Sequence, residues 1–406
     1  MRILHITAQK PDSTGSGTYL AETVRAFDRM GFSQAVVCGV AEADQIDLPS
    51  GVLARAVRFD TPELPFHVVG MSDNMPYPAT RYRDMTPAMV EAFKGAFDRA
   101  FDDVLAQFTP DLVICHHLYL VCAVMAHRAW SCPICGLSHS TDIRQMRKIP
   151  LERAYIREGV GRLDLIFALH QAQAEEIRQV YGVEPGRISV VGSGYNAGIF
   201  NMAARTDAWQ DAGLDSARKP VELVYAGKIW GKKGVPNLIS ALDYLPCEPT
   251  SLALRLAGGY SSQDEYDRIV RQAQSCRYTV EFLGKLSQPQ LARAYGRADV
   301  FVLPSFFEGL PLVVIEALAC GCKAVVTDLP GIRPWINANL PDAPVFFVEP
   351  PRMRNTDEPE PADLPAFERR LADALAQAIK VPARTCDTTG LSWDALARRI
   401  VAASQR

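Results

Sequence analysis

The chain has 406 residues, more than a single hydrophobic core holds, so two domains are expected. Hydrophobic residues at 48% and charged residues at 22% exclude a disordered or fibrous chain. A net charge of −3 gives no basic field for nucleic acid, and no apolar run reaches membrane-spanning length.

Residues 1–8 are short and strand-like and lack the long apolar core and cleavage site of a signal peptide. The ten cysteines lie mostly inside apolar runs, which fits reduced, buried thiols in a cytoplasmic protein. Cys132 and Cys135, and Cys320 and Cys322, have no second pair at zinc-site spacing and read as structure.

Residues 1–7 form the first expected strand, and a polar loop at 9–16 leads into a helix at 17–30 with Leu20, Val24 and Phe27 on one face. Gly15, Ser16 and Gly17 give a backbone able to approach a phosphate. The turn lacks the third glycine of a dinucleotide fingerprint and its loop is too long, which leaves an NAD dehydrogenase as an alternative. Strands are expected at 34–40 and 52–59. The irregular, Pro-rich and aromatic-rich stretch 62–83, which includes Met71, reads as an acceptor-contacting loop or as a loop tacked down by its aromatics. A helix at 86–107 and strands at 112–115 and 134–138 follow.

His116 and His117 end the first of these strands and His139 the second, on the edge where open parallel sheets bind ligands. A histidine there can donate to a sugar hydroxyl, and Asp142 could accept from another. The six basic residues from Arg144 to Arg162 are interleaved with Glu152 and Glu158 and read as a solvated face; an anionic acceptor or a membrane surface is the alternative partner. Strands at 164–169 and 188–191 complete this half, and 201–220 reads as a linker.

The second half restarts the alternation with a strand at 221–226. Its loop, Gly227 to Gly234, carries Lys228, Lys232 and Lys233 and opens a helix to 245. Amides and ammonium groups in such a loop suit a diphosphate; the glycine spacing is not that of a Walker loop. Strand-then-glycine recurs at 252–259 and at 280–286, and a helix fits 288–296. The segment FVLPSFFEGLPLVVIEALACGCKAVVT, 301–327, reads as strand, elbow at 304–310, helix at 311–320 and strand at 323–327. The amides of Gly309, Leu310 and Leu312 would face a crevice where the helix dipole favours an anion. Glu308 and Glu316 bracket the elbow. Glu316 is the only charge in LVVIEALA and needs partners, which the vicinal hydroxyls of a ribose would supply. An exposed acidic loop at 350–365 and helices at 367–379 and 393–403, the last capped by Ser392, close the chain.

These motifs resemble retaining glycosyltransferases of family 4, with the GT-B fold. The resemblance rests on the first strand with its GSG turn, the two His-bearing strand ends, GSGYNAGIF, GKIWGKKG, the FLGKL turn and PSFFEGLPLVVIEALACG. It implies an α/β fold of two Rossmann-like doubly wound domains facing across a cleft. These would be an acceptor-binding domain at 1–203, joined by 392–406 crossing back, and a donor-binding domain at 204–391. By the same resemblance Lys228 and Lys233 hold the donor diphosphate, with Gly227. Glu308 holds the transferred sugar with Gly309, Leu310, Pro311 and Leu312, and Glu316 holds the ribose. Leu283, Lys285 and Leu286 take the base, Gly15 to Gly17 close over the phosphates, and His139 contacts the sugar. His117, Asp142, Met71 and Arg144 are the acceptor candidates, with His116 open as the alternative to His117. The implied activity is hexosyl transfer from a nucleotide diphospho-sugar, UDP-sugar by default, to a carbohydrate, lipid-linked or small-molecule hydroxyl. The sugar nucleotide is a substrate, with no cofactor and no metal, and peripheral contact with the inner face of a membrane is open. Lys228 stands where such enzymes usually carry Arg, and Asn196 where Asp is frequent. A nucleotide-sugar epimerase, a sugar phosphorylase or a non-catalytic sugar-nucleotide-binding subunit are the alternatives on this scaffold.

Overall fold

A computed structural model describes residues 1–211, 220–355, 357–382 and 384–405. The chain divides into two compact units, 1–194 with the C-terminal segment from residue 393, and 195–392.

Unit 1 runs β1 (Arg2–Thr7), α1 (Gly15–Arg29), β2 (Ser33–Ala41), β3 (Leu53–Phe59), β4 (Val69–Gly70), β5 (Thr80–Arg81), α2 (Pro87–Leu105) and β6 (Leu112–His116). It continues with α3 (Leu120–Ala126), β7 (Ile134–Leu137), α4 (Thr141–Lys148), α5 (Arg153–Gly161), β8 (Leu165–Ala168), α6 (Gln171–Tyr181) and β9 (Ile188–Val190). Seven strands pair in parallel in the order β3-β2-β1-β6-β7-β8-β9. Central strands such as β1 and β6 are buried nearly throughout because helices cover both faces of a parallel sheet. The order reverses between β1 and β6, and the loops leaving these strands flank the ligand-binding crevice of such sheets.

Local signals explain the boundaries. Thr86 caps α2 by accepting from Met89 N, and Phe93, Phe97 and Phe101 bury one stripe of it. The C-terminal helix, Trp393–Ser404, packs on α1. Its Trp393 meets the Tyr19 ring edge-on at 5.1 Å, and Asp394 accepts from Arg29 Nη2 at 2.5 Å. Arg399 donates to Val191 O at 2.8 Å and Ser193 O at 3.4 Å. The 62–83 stretch is less irregular than its composition suggests: β4 and β5 form a two-residue parallel ladder within it.

Unit 2 begins with α7 (Met202–Asp211), then β10 (Val221–Ala226), α8 (Val235–Leu242), β11 (Leu252–Ala257), α9 (Gln263–Gln274), β12 (Thr279–Gly284) and α10 (Gln288–Arg297). It closes with β13 (Val300–Leu303), α11 (Leu312–Ala319), β14 (Lys323–Thr327), α12 (Ile332–Asn339), β15 (Val345–Val348) and α13 (Leu364–Lys380). The six strands are parallel in the order β12-β11-β10-β13-β14-β15, with the reversal between β10 and β13.

Three expectations need correction. The stretch read as a linker contains α7, which packs on α10; residues 212–219 of that stretch lie outside the described residues. Its weak amphipathic period hid the helix, which tertiary contact stabilises. The helix expected from 234 to 245 starts as a 3-10 turn at Gly231–Lys233 and is α-helical only from Val235. The acidic 350–365 stretch is not simply exposed: Met353 and Pro359 form an antiparallel bridge and Asp357 is buried.

Candidate active site

The loops leaving β10 and β13 meet at the strand-order reversal of unit 2, and they carry the predicted charges. Lys233 Nζ lies 2.7 Å from Glu308 Oε1 and 3.4 Å from Phe307 O. The backbones are fastened to each other: Phe306 N donates to Lys232 O at 3.2 Å. Gly234, at φ +70°, fits because a Cβ there would lie 2.0 Å from Pro304 O, so only glycine lets the two loops close up. Lys228 belongs to the same cluster. Burial, and next the Lys233 ammonium, hold its ammonium below the ordinary lysine range, while Glu265 pulls the other way. The ligand-side turns of the neighbouring strands are also stitched together. Gly227 N donates to Ala257 O, Ile229 N to Gly259 O and Gly258 N to Gly284 O, all at 2.8–2.9 Å.

Pro311 is the N-cap of α11 rather than its first residue, and no side chain caps the helix. Its first turn therefore starts at the elbow with Leu312, beside Gly309 and Leu310. Glu316 lies one turn further in, 9% exposed, where its charge acts on Tyr295 and Cys320. In the Leu283, Lys285 and Leu286 turn, the Lys285 side chain lies against Gly259. Sequence reading missed three members of this neighbourhood. Glu265 accepts from Gly231 N at 2.8 Å, Tyr225 donates to Lys228 O at 2.7 Å, and Asp357 pairs with Lys232 at 3.2 Å. Glu265 and Asp357 come from distant segments with no motif, and Tyr225 reads as an ordinary strand residue.

The reversal in unit 1 gathers histidines. His116 Nδ1 and His139 Nε2 are 3.2 Å apart with stacked rings, His117 tilts on His139 at 4.7 Å, and His5 lies 6.0 Å from His116. Tyr19 meets His139 edge-on at 5.1 Å and donates to Gly192 O. His116 and His117 are both buried, so neither imidazole is offered openly to an acceptor; His139 is the partly exposed one.

Asp142 is a correction of another kind. Its side chain is fully buried, and its oxygens accept from Leu118 N at 2.8 Å, Ser138 Oγ at 3.0 Å, Ile143 N at 3.1 Å and His139 N at 3.3 Å. The carboxylate holds the turns after β6 and β7 and has no face left for an acceptor. Met71 is likewise 3% exposed, its side chain part of the hydrophobic core of unit 1 and its carbonyl accepting from Gln145 Nε2. Arg144 is half-buried on α4. Gly15, Ser16 and Gly17 are the first turn of α1 rather than a loop before it. The Gly17 amide is already capped by Thr14 Oγ1 at 3.0 Å, and Ser16 Oγ bonds Gln9 Oε1 at 3.3 Å. Arg147 pairs with Glu176 and Arg162 with Glu158, as expected of a solvated face. All ten cysteines are free, and no helix among the described residues is long and apolar enough to cross a membrane.

The histidines give unit 1 an acid-sensitive stability. Burial lowers His5 from 6.5 to about 4 and His117 to about 3. Between those values and 6.5 the unfolded chain binds more protons than the folded one, so stability falls as pH drops through that window. The expected slope is about 1.4 kcal/mol per pH unit per histidine. Urea unfolding from pH 7 to pH 4 should show it, and His5→Gln should flatten the slope.

Residues 210–352 match the model of glycosyl transferases group 1, and residues 14–194 match that of a glycosyl transferase 4-like domain. The chain is similar to the D-inositol 3-phosphate glycosyltransferase of Pseudarthrobacter chlorophenolicus, 33% identical over 44% of this chain and 42% of that one. It is 28% identical to the glycogen synthase of Mycobacterium tuberculosis over 55% of this chain and 53% of that one. The chain thus spans about half the length of these curated relatives. Among solved structures it resembles a sucrose-phosphate synthase from Thermosynechococcus elongatus, with a TM-score of 0.69, 19% identity and coverage of 100% and 98%. It also resembles Anabaena HepE in complex with UDP and glucose, with a TM-score of 0.62, 16% identity and coverage of 100% and 95%. The two family matches together take in most of the chain: it carries a glycosyl transferase 4-like domain followed by a glycosyl transferases group 1 domain, and its two parallel sheets are those of the GT-B fold.

Proposed function

We propose that the chain is a retaining glycosyltransferase that moves a hexose from a nucleoside diphospho-sugar, UDP-sugar by default, to an acceptor hydroxyl. The observation that carries this reading is the Lys233–Glu308 pair at the strand-order reversal of unit 2, with Lys228 alongside. A diphosphate bound there accepts from the Lys228 and Lys233 ammonium groups and from the elbow amides. As the anomeric C–O bond breaks, the electron pair stays on the diphosphate, and these donors stabilise the charge it gains. Glu308 orients the departing sugar and Glu316 takes the ribose hydroxyls. The two lysines take the part a metal plays elsewhere, and the sequence has no Asp-x-Asp pair to hold one. No carboxylate is clearly set as a nucleophile. The acceptor therefore attacks the face the diphosphate leaves, giving its proton to a leaving phosphate oxygen. The complexes of HepE with UDP and glucose support the nucleotide class by similarity. Acceptor binding falls to unit 1, around His139.

Isothermal titration of UDP, GDP and ADP, with their sugars, tests the reading. At least one diphosphate should bind, and Glu316→Ala should weaken it about tenfold or more through loss of charge-assisted bonds. Wild-type affinity in that variant would remove the ribose role. A strict divalent-metal requirement after EDTA treatment would overturn metal-independent transfer.

A further inference from the structure

Lys232 stands in sequence between the two lysines assigned to the diphosphate, yet its ammonium is engaged elsewhere. It lies 3.2 Å from Asp357 Oδ2 and 3.4 Å from Glu358 Oε1. A small hairpin carries both carboxylates. Met353 and Pro359 bridge antiparallel, Arg354 N donates to Glu358 O at 2.8 Å, and Glu360 N donates to Arg352 O at 2.7 Å. The hairpin is braced as well: Asn355 Nδ2 donates to Glu358 Oε2 at 2.7 Å, and Arg352 N donates to Asp363 Oδ2 at 2.9 Å. Asp357 is only 6% exposed, so its carboxylate has little freedom. Lys228, in contrast, senses Lys233 and Glu265, and Lys233 pairs with Glu308. Of the three lysines on this loop, Lys232 is the one paired with the hairpin carboxylates, while its ammonium also lies 5.6 Å from the centroid of the Trp230 ring that Lys228 approaches at 5.2 Å.

We infer, on the basis of the donor reading above, that this hairpin sets how much positive charge the loop offers to a phosphate chain. By holding Lys232 aside, Asp357 and Glu358 leave a site with two ammonium groups, matched to a diphosphate ester and poorly matched to a triphosphate. Both are specificity-determining residues that act through Lys232 and do not touch the donor. A triphosphate brings added negative charge into the same loops, where Glu308 already repels it. A third ammonium would offset that repulsion, and the hairpin keeps it away. The arrangement lets the site select a sugar-linked diphosphate against the free triphosphates that share its base.

The test is isothermal titration on the full chain. The tightest of UDP, GDP and ADP is compared with its own triphosphate. In Asp357→Asn/Glu358→Gln the ratio of triphosphate to diphosphate affinity should rise about tenfold, with a steeper salt dependence. Adding Lys232→Met to that background should return the ratio to the wild-type value, which a merely structural hairpin would not do. Glu358→Gln alone, at an exposed position, should shift the ratio in the same direction by less; it carries the test if the double variant does not fold. An unchanged ratio in Glu358→Gln and the double variant, with wild-type diphosphate affinity, overturns the inference alone. A raised ratio that survives Lys232→Met also overturns it. A wild-type chain that binds none of the three diphosphates overturns the donor reading and this inference with it.

Discussion

Replacing Lys233 by alanine should lower turnover about a hundredfold or more, the usual cost of removing one donor from a developing oxyanion. The reason is specific to where its ammonium sits. It is the charge held 2.7 Å from Glu308, on the loop that Gly234 fastens against Pro304. The variant loses a cation for the diphosphate and leaves the Glu308 charge without that partner. Stability should change little, by about 1 kcal/mol or less, because both side chains are partly exposed and such pairs contribute weakly to folding. Steady-state kinetics beside thermal unfolding separates these effects. Lys233→Ala/Glu308→Gln should not recover the turnover, since Glu308 itself orients the departing sugar. Near-normal turnover in Lys233→Ala would reassign the lysine.

Asp142→Ala should destabilise unit 1 by about 3–5 kcal/mol, because several buried donors lose a charged acceptor together. Leu118 N and Ile143 N would remain buried without a partner, and the turn that carries His139 would lose its anchor. Asp142→Asn is not a neutral change. With Oδ1 kept on Ser138 and Ile143, the new amide N–H would face Leu118 N, donor against donor. Urea unfolding should report a loss in both variants, larger for alanine. Wild-type stability in Asp142→Ala would return the residue to the acceptor role expected from sequence.

Much of this was legible in the chain alone. The strands at 221–226, 252–257 and 323–327 end where the apolar runs end, because a strand covered on both faces must be apolar and its loops must not be. The loop lysines and the two glutamates could be found because glycine, proline and charge stand at fixed offsets from those strand ends. What the sequence could not decide was which charge meets which. Glu308 and Lys233 are 75 residues apart, Lys232 and Asp357 lie in different segments, and only folding brings either pair within ionic distance.

The same limit explains the roles that changed. At 139–142 the sequence shows polar residues at a strand end, which is equally the pattern of a ligand site and of a buried anchor. Tertiary packing separates them, since it leaves His139 partly exposed and closes Asp142 off completely. The linker helix depends on its packing against α10, and the short ladder inside 62–83 and the hairpin at 353–359 rest on backbone pairings that no hydrophobic period announces. The sequence by itself determined the alternation, the two sheets and the types of residue at their ligand edges, because those follow from local periodicity and burial. Only the tertiary structure decided how the charges are shared out, because charge pairing depends on distance through space.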